Sequence, residues 1–149
     1  MKKIKMVDVV TQYKKYSSEI NKRILDVVES GHYIQGSVVK NFEKLLSNYL
    51  KSTNVISCAN GTDALCIALM ALDLKRGDEV LVPTFTFVST VESVCLLGLK
   101  PIFLDVDSDT FLLNNQLIEK KISNKTKAII PVHLFGQCCD MRYIKKIAK

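Results

Sequence analysis

The chain has 149 residues, 48% hydrophobic, 24% charged and 7% aromatic, without tryptophan, which excludes a disordered tail and fits one globular domain of ordinary composition. Five cysteines are too sparse, and odd in number, for a disulfide scaffold, and no apolar run approaches the roughly 20 residues that span a bilayer. Lys and Arg outnumber Asp and Glu by 21 to 15, a net charge of +6, yet only Arg23, Arg76 and Arg142 are arginines.

Bidentate reading of bases leans on arginine, and the lysines here fall in helix-spaced pairs such as Lys120-Lys121. A solvated lysine-rich surface is the expectation, with no nucleic-acid partner and no membrane association. The N-terminal Met1-Lys2-Lys3-Ile4-Lys5 is charged like a signal peptide, but Asp8 and Gln12 interrupt any apolar core behind it. A reduced, cytoplasmic setting follows as the default.

In chain order, apolar residues at 20, 24, 27 and 28 predict a helix over Ser17–Ser30, stopped by Gly31. Gly31-His32-Tyr33-Ile34-Gln35-Gly36 is an aromatic loop between glycines. Val38, Phe42, Leu45, Leu46 and Tyr49 form one face of a second helix, about Ser37–Leu50. These first fifty residues read as a helical arm packed on the rest of the chain or on a partner. Val55-Ile56-Ser57-Cys58 reads as a strand, and Asn60-Gly61-Thr62-Asp63 as a turn with cap chemistry. The helix Ala64–Leu72 is apolar nearly all round and is expected to be buried on most faces.

Glu79–Val82 is the next strand, ended by Pro83. A helix capped by Thr84 or Thr86 should reach Leu97 and close at Gly98. Pro101–Leu104 is a third strand, Asn115–Ile122 a short helix, Ala128–Val132 a fourth strand, and Met141–Ala148 a last helix. Four alternations of short apolar strands with helices define the fold class, α/β, with a parallel sheet covered on both faces over residues 51–149.

The strongest local signal is the small-residue turn at Gly61 and Thr62. Where a strand ends and a helix opens, free backbone N–H groups and the positive end of the helix dipole can hold a phosphate, although an ordinary capped turn has the same local pattern. No G-x-x-x-x-G-K-[ST] and no G-x-G-x-x-G after a strand supports a P-loop or a dinucleotide fold. Phe85 and Phe87 stand beyond the next strand, where ligands gather in open sheets and an aromatic can stack on a planar ring. Asp105-Val106-Asp107-Ser108-Asp109 begins like a calcium loop, but Thr110 stands where glycine is needed and Gln116 where the bidentate glutamate belongs, so it reads as an acidic turn and no metal is expected. Cys58, Cys66, Cys95, Cys138 and Cys139 form no C-x-x-C pair, and neither His32 nor His133 has a nucleophile motif nearby.

Taken in order, several segments resemble the N-terminal portion of the DegT/DnrJ/EryC1/StrS family of pyridoxal-phosphate-dependent nucleotide-sugar aminotransferases. They are Gly31–Gly36, Cys58-Ala59-Asn60-Gly61-Thr62-Asp63-Ala64-Leu65, Gly77–Val80, Pro83–Phe87, Asp105–Asp107 and Pro131-Val132-His133-Leu134-Phe135-Gly136-Gln137. The resemblance implies the type I aminotransferase fold, pyridoxal 5'-phosphate as cofactor and a homodimer with active sites at the subunit interface. It further implies a keto-sugar nucleotide as substrate, glutamate as amino donor, and a place in surface-polysaccharide or amino-sugar biosynthesis. Gly61, Thr62 and Asp63 would hold the cofactor and its phosphate, Phe87 would stack on the pyridine ring, and Tyr33 and His133 would line the substrate side.

The lysine that carries the cofactor and the aspartate that pairs with its ring nitrogen lie, in that family, beyond the point matching Lys149. No residue here takes either catalytic role. The chain is therefore expected to be a truncated or excised piece of the large domain, inactive alone. The alternative is a non-catalytic, ligand-binding or regulatory remnant of the same family.

Overall fold

The computed structural model describes Ile4 and residues 7–149; the basic N-terminal stretch read above lies, Ile4 apart, outside the described residues. The chain divides into two compact units, Met1–Ser57 and Cys58–Lys149.

In the first unit, α1 runs over Val9–Ser30, two turns earlier than the apolar spacing indicates. The start is set by Asp8, whose carboxylate accepts from Thr11 N–H at 3.1 Å and from the Thr11 hydroxyl at 2.7 Å. That is N-cap chemistry, which overrides the weaker apolar signal of the first two turns. Gly31, at φ 66°, closes α1 in the left-handed conformation, its N–H donating to the Val28 carbonyl. The helix α2 spans Ser37–Leu50, as expected. Gly36 is required between them because a β-carbon there would lie 2.8 Å from the His32 carbonyl oxygen. Neither helix buries a residue, and Tyr13, Ile20, Ile24, Phe42, Leu45 and Tyr49 stay exposed.

Val55–Cys58, expected as a strand, joins no ladder. A strand is stable only beside another, and no described strand flanks this segment. The Ser57 N–H instead donates to Glu43 Oε1 at 2.9 Å. Among the described residues the expected four strands are therefore three.

The second unit is built on a parallel sheet, β1 Glu79–Pro83, β2 Lys100–Leu104 and β3 Thr126–Ile129, in the order β2-β1-β3. Leu81 stands level with Ile102 on one side and with Ile129 on the other. β3 begins and ends earlier than its apolar run. Ile130 N–H makes the last bond, to the Leu81 carbonyl at 2.9 Å.

Successive side chains of β1 feed two separate cores, as the period of two requires. Val80 and Val82 pack with Leu69 of α3 (Gly61–Ala71) and Val94 of α4 (Ser89–Leu96). Leu81, with Leu104 of β2, packs against Ile118 of α5 (Asn115–Lys121) and Ile144 of α6 (Met141–Ile147). The sheet is thus covered on both faces, and all five residues of β1 are buried. Truncating a fully buried residue such as Leu81 to alanine costs about 2–5 kcal/mol.

Two further expectations are corrected. The helix α3 buries only Leu69 and leaves Ile67, Met70 and Leu72 exposed, because only one of its faces meets the sheet. The helix α4 starts at Ser89 without a side-chain cap, and Thr84–Thr86 form a bend instead. The Thr86 hydroxyl is engaged with that of Thr90 at 3.0 Å, and the Thr84 hydroxyl donates to Asp105 Oδ1 at 3.1 Å, so neither caps the helix.

Candidate functional site

The helices that follow the strands divide between the two faces, α4 on one and α5 and α6 on the other. After β1 the chain passes to α4, on the Val80 side; after the neighbouring β3 it passes to α6, on the Leu81 side. Adjacent parallel strands whose continuations leave to opposite faces open a crevice at their carboxyl ends, the usual ligand position in open α/β sheets. Thr84–Val88 leave β1 there and Ile130–Asp140 leave β3, so Phe87 and His133 both belong to this end of the sheet.

Phe85 and Phe87 have different surroundings. The bend at 84–86 removes the strand alternation that would put both rings on one face. Phe85 packs on Phe111, with ring centroids 5.5 Å apart and planes at 44°. Phe87 has no aromatic partner among the described residues and is 74% exposed. Of the two rings, Phe87 is the one with a free face.

At α3, Asn60 Oδ1 accepts from Asp63 N–H at 2.9 Å, and Asn60 Nδ2 donates to Asp63 Oδ2 at 3.1 Å. The Asn60 carbonyl takes the Ala64 N–H at 3.1 Å. That is the first regular bond of the helix, so of the orphan donors at its start only the Asp63 N–H is capped, and the Gly61 and Thr62 N–H groups have no partner among the described residues. A β-carbon at Gly61 would meet nothing within 4 Å, so the approach to these donors is open. Two N–H groups, the Thr62 hydroxyl and the positive end of an eleven-residue helix form a donor set suited to a phosphate. The Asp63 side chain is committed to the cap.

His133 is held from behind. Its Nδ1 accepts from Cys139 N–H at 3.2 Å, and the Cys139 thiol donates to the Val132 carbonyl at 3.2 Å. Between them Phe135 and Gly136 take positive φ, 54° and 84°, in a tight turn. Asp140 then caps α6 through Arg142 N–H and Tyr143 N–H.

Tyr33 lies in the first unit, where its hydroxyl donates to the Val28 carbonyl at 3.0 Å. The acidic turn closes on itself: Asp107 Oδ1 accepts from Asp109 N–H, Thr110 N–H and the Thr110 hydroxyl. Those bonds, the Thr110 N–H first, hold the Asp107 carboxyl below the usual carboxylate range.

Two hollows in the second unit contain none of the expected site residues. One is an apolar groove of about 180 Å³ along β3, lined by Ile118, Ile122, Ala128 and Ile147; the other, about 410 Å³, is polar and lies beside Asp107, Asn115 and Asp140. Phe87, with its free face, and His133 stand instead in the segments that leave the carboxyl ends of β1 and β3. The Phe85–Phe111 pair had no signal in the sequence, since it depends on distant segments brought together by the fold, and the clasp behind His133 had none because a backbone N–H donor leaves no mark in residue type.

These features define an α/β protein with a parallel sheet covered on both faces and a helix start whose Gly61 and Thr62 N–H groups have no partner among the described residues. Residues 14–149 match the model of the DegT/DnrJ/EryC1/StrS aminotransferase family, and the chain belongs to that family. It is 46% identical over 145 residues to the UDP-2-acetamido-2-deoxy-3-oxo-D-glucuronate aminotransferase of Pseudomonas aeruginosa, covering 97% of this chain and 40% of that protein. It is 41% identical over 146 residues to a pleiotropic regulatory protein of Geobacillus stearothermophilus, covering 98% and 39%. Among solved structures, Bacillus subtilis NtdA with bound cofactor PMP superposes with a TM-score of 0.86 at 39% identity, over 90% of this chain and 31% of that one. The chain spans about 40% of the length of the curated relatives it matches.

Proposed function

We propose that these residues are the N-terminal part of a pyridoxal-phosphate-dependent aminotransferase that moves an amino group, from glutamate, onto a keto-sugar nucleotide. The observation that carries the reading is the pair of unpartnered N–H groups at Gly61 and Thr62, at the start of α3, in a chain of this family. The Gly61 and Thr62 amides and the Thr62 hydroxyl bind the cofactor phosphate. Asp63 shapes that seat through Asn60, and Phe87 lies against the pyridine ring. When bound, the cofactor supplies an electron sink and carries the amino group between donor and acceptor. His133 and, on the family resemblance alone, Tyr33 contribute to the substrate side.

A homodimer, a cytoplasmic setting and a place in surface-polysaccharide or amino-sugar synthesis belong to the same proposal. They are supported by the kinship with the Pseudomonas aeruginosa aminotransferase and by the unburied faces of α1 and α2. No described helix is long and apolar enough to cross a membrane.

The 149 residues by themselves do not transaminate. No lysine here matches the one that would hold the cofactor covalently and move the proton, and no acid matches the partner of the ring nitrogen. A regulatory, non-catalytic role is the second reading, favoured by the similarity to the Geobacillus protein.

Mixing the purified chain with pyridoxal phosphate, reducing with borohydride and mapping the product by mass spectrometry tests the assignment. The expected result is scattered, substoichiometric labelling and no turnover of glutamate with a keto-sugar nucleotide. A single stoichiometrically labelled lysine together with turnover would overturn it. Sequence following codon 149 that encodes a Glu-Asp-x-x-Gln segment and then a lysine in a Ser/Phe/Pro-rich loop would favour the enzyme over the regulator.

A further inference from the structure

We propose that His133 is a specificity-determining hydrogen-bond donor, fixed by Cys139 so that its Nε2–H is offered to an acceptor oxygen of the molecule bound in the crevice. The inference rests on the reading that this crevice holds the cofactor and the sugar, and adds the atom, the tautomer and the kind of ligand group involved.

The two nitrogens of the His133 ring have different surroundings. Nδ1 accepts the Cys139 N–H at 3.2 Å, so its lone pair is occupied and the proton of the neutral ring sits on Nε2. Nε2 has no partner among the described residues, and the side chain is exposed. The clasp is itself anchored. Cys139 is 5% exposed within the core beside Leu81, and its thiol is tied to the Val132 carbonyl. The Asp140 cap fixes the next residue at the start of α6.

The short turn in between puts Phe135, a residue with a β-carbon, at φ 54°, a conformation that costs energy and persists only when its surroundings enforce it. A histidine used only to fill the turn would not need its outer nitrogen left open at the carboxyl end of β3. The position and tautomer suit a donor aimed at oxygen rather than a base, because the nitrogen that carries the lone pair is turned inward and already accepts from Cys139. The acceptor is an oxygen carried by the pyridoxal ring or by the sugar, and separate titrations tell these apart.

Two variants separate the inner bond from the outer one. His133→Asn keeps an acceptor near the position of Nδ1 and loses the outer donor, whereas His133→Gln keeps an N–H near the position of Nε2. Nitrogen-15 spectra of the histidine-labelled protein first report the tautomer; a bare Nδ1 and a protonated Nε2 are expected, and the reverse would overturn the proposal. Pyridoxal phosphate and UDP-N-acetylglucosamine are then titrated separately. One of them should bind about tenfold more weakly to His133→Asn and within about threefold of the parent to His133→Gln.

Loss for pyridoxal phosphate assigns the acceptor to the cofactor, and loss for the nucleotide sugar assigns it to the substrate. Equal binding by both variants and the parent would overturn the role of His133 while leaving the proposed function standing. A parent that binds neither probe would overturn both.

Discussion

Asn60 and Asp63 cap one another across the first turn of α3, the Asn60 side chain accepting from Asp63 N–H at 2.9 Å while donating to its carboxylate at 3.1 Å. The reciprocity satisfies one orphan N–H, holds the asparagine amide in place and leaves the Gly61 and Thr62 donors for a ligand. An acidic residue in the first turn also complements the helix dipole, so Asp63 stabilises the ligand-free helix. Replacing Asn60 with alanine should cost about 1 kcal/mol of stability in urea denaturation. It should also weaken phosphate binding, because the loosened turn no longer presents the two amides together. Unchanged stability and unchanged binding would show that the cap is incidental.

The two phenylalanines beyond β1 are expected to separate cleanly. Phe85→Ala removes the ring pair with Phe111 and should destabilise by at least about 0.5–1.5 kcal/mol, the worth of an aromatic pair beyond its buried area. Phe87→Ala removes a mostly exposed ring and should change stability by less than about 0.5 kcal/mol. Its effect should appear in pyridoxal phosphate affinity. Thermal melts and cofactor titrations of the two variants check this, and the opposite pattern would transfer the stacking role to Phe85.

Glu79 sits at the amino end of β1, away from the proposed site. Its carboxylate accepts from the Ser123 hydroxyl at 2.6 Å and from Lys100 Nζ at 3.1 Å, and these partners, Ser123 first, hold its pKa below the usual glutamate range. A carboxyl depressed in the folded state contributes stability that is complete above the unfolded-state value and is lost as pH falls through the folded one. The protein should lose stability on acidification through and below the ordinary glutamate range, and Glu79→Gln should flatten that limb. Denaturation midpoints measured down the acid limb would contradict the assignment if parent and variant fell in parallel.

Gly36 is held by contact rather than by backbone angle. Its φ is −70°, which any residue adopts, but a β-carbon would press on the His32 carbonyl oxygen at 2.8 Å. Gly36→Ala should destabilise the protein by about 1–3 kcal/mol, the usual range for overpacking. A melt equal to the parent's would show that the loop shifts at no cost.

Much of this was legible in the residue order, for identifiable reasons. The helix α2 appears within its expected bounds because a continuous apolar face and Gly36 before it agree. β1 is legible because both of its faces are buried, giving an unbroken apolar run. The turn at Asn60–Asp63 is legible because cap chemistry is local.

Val55–Cys58 misleads because an apolar run states a preference to be buried, not the presence of a neighbour to pair with. The start of α4 misleads because the Thr84 and Thr86 hydroxyls are taken by Asp105 and Thr90, the first of them brought close only by the register of β1 on β2. The clasp between Cys139 and His133 was hidden for a simpler reason, since a bond from a backbone N–H to an imidazole leaves no mark in residue type.

The central claim is that the start of α3 holds a phosphate. Amide nitrogen–proton correlation spectra, recorded as pyridoxal 5'-phosphate is titrated into the protein and repeated with inorganic phosphate, test it most directly. The account expects the Gly61 and Thr62 cross-peaks to shift most, saturably and with both ligands, and the response to collapse in the Asn60→Ala variant. Saturable binding that leaves Gly61 and Thr62 unmoved while other amides respond would contradict it.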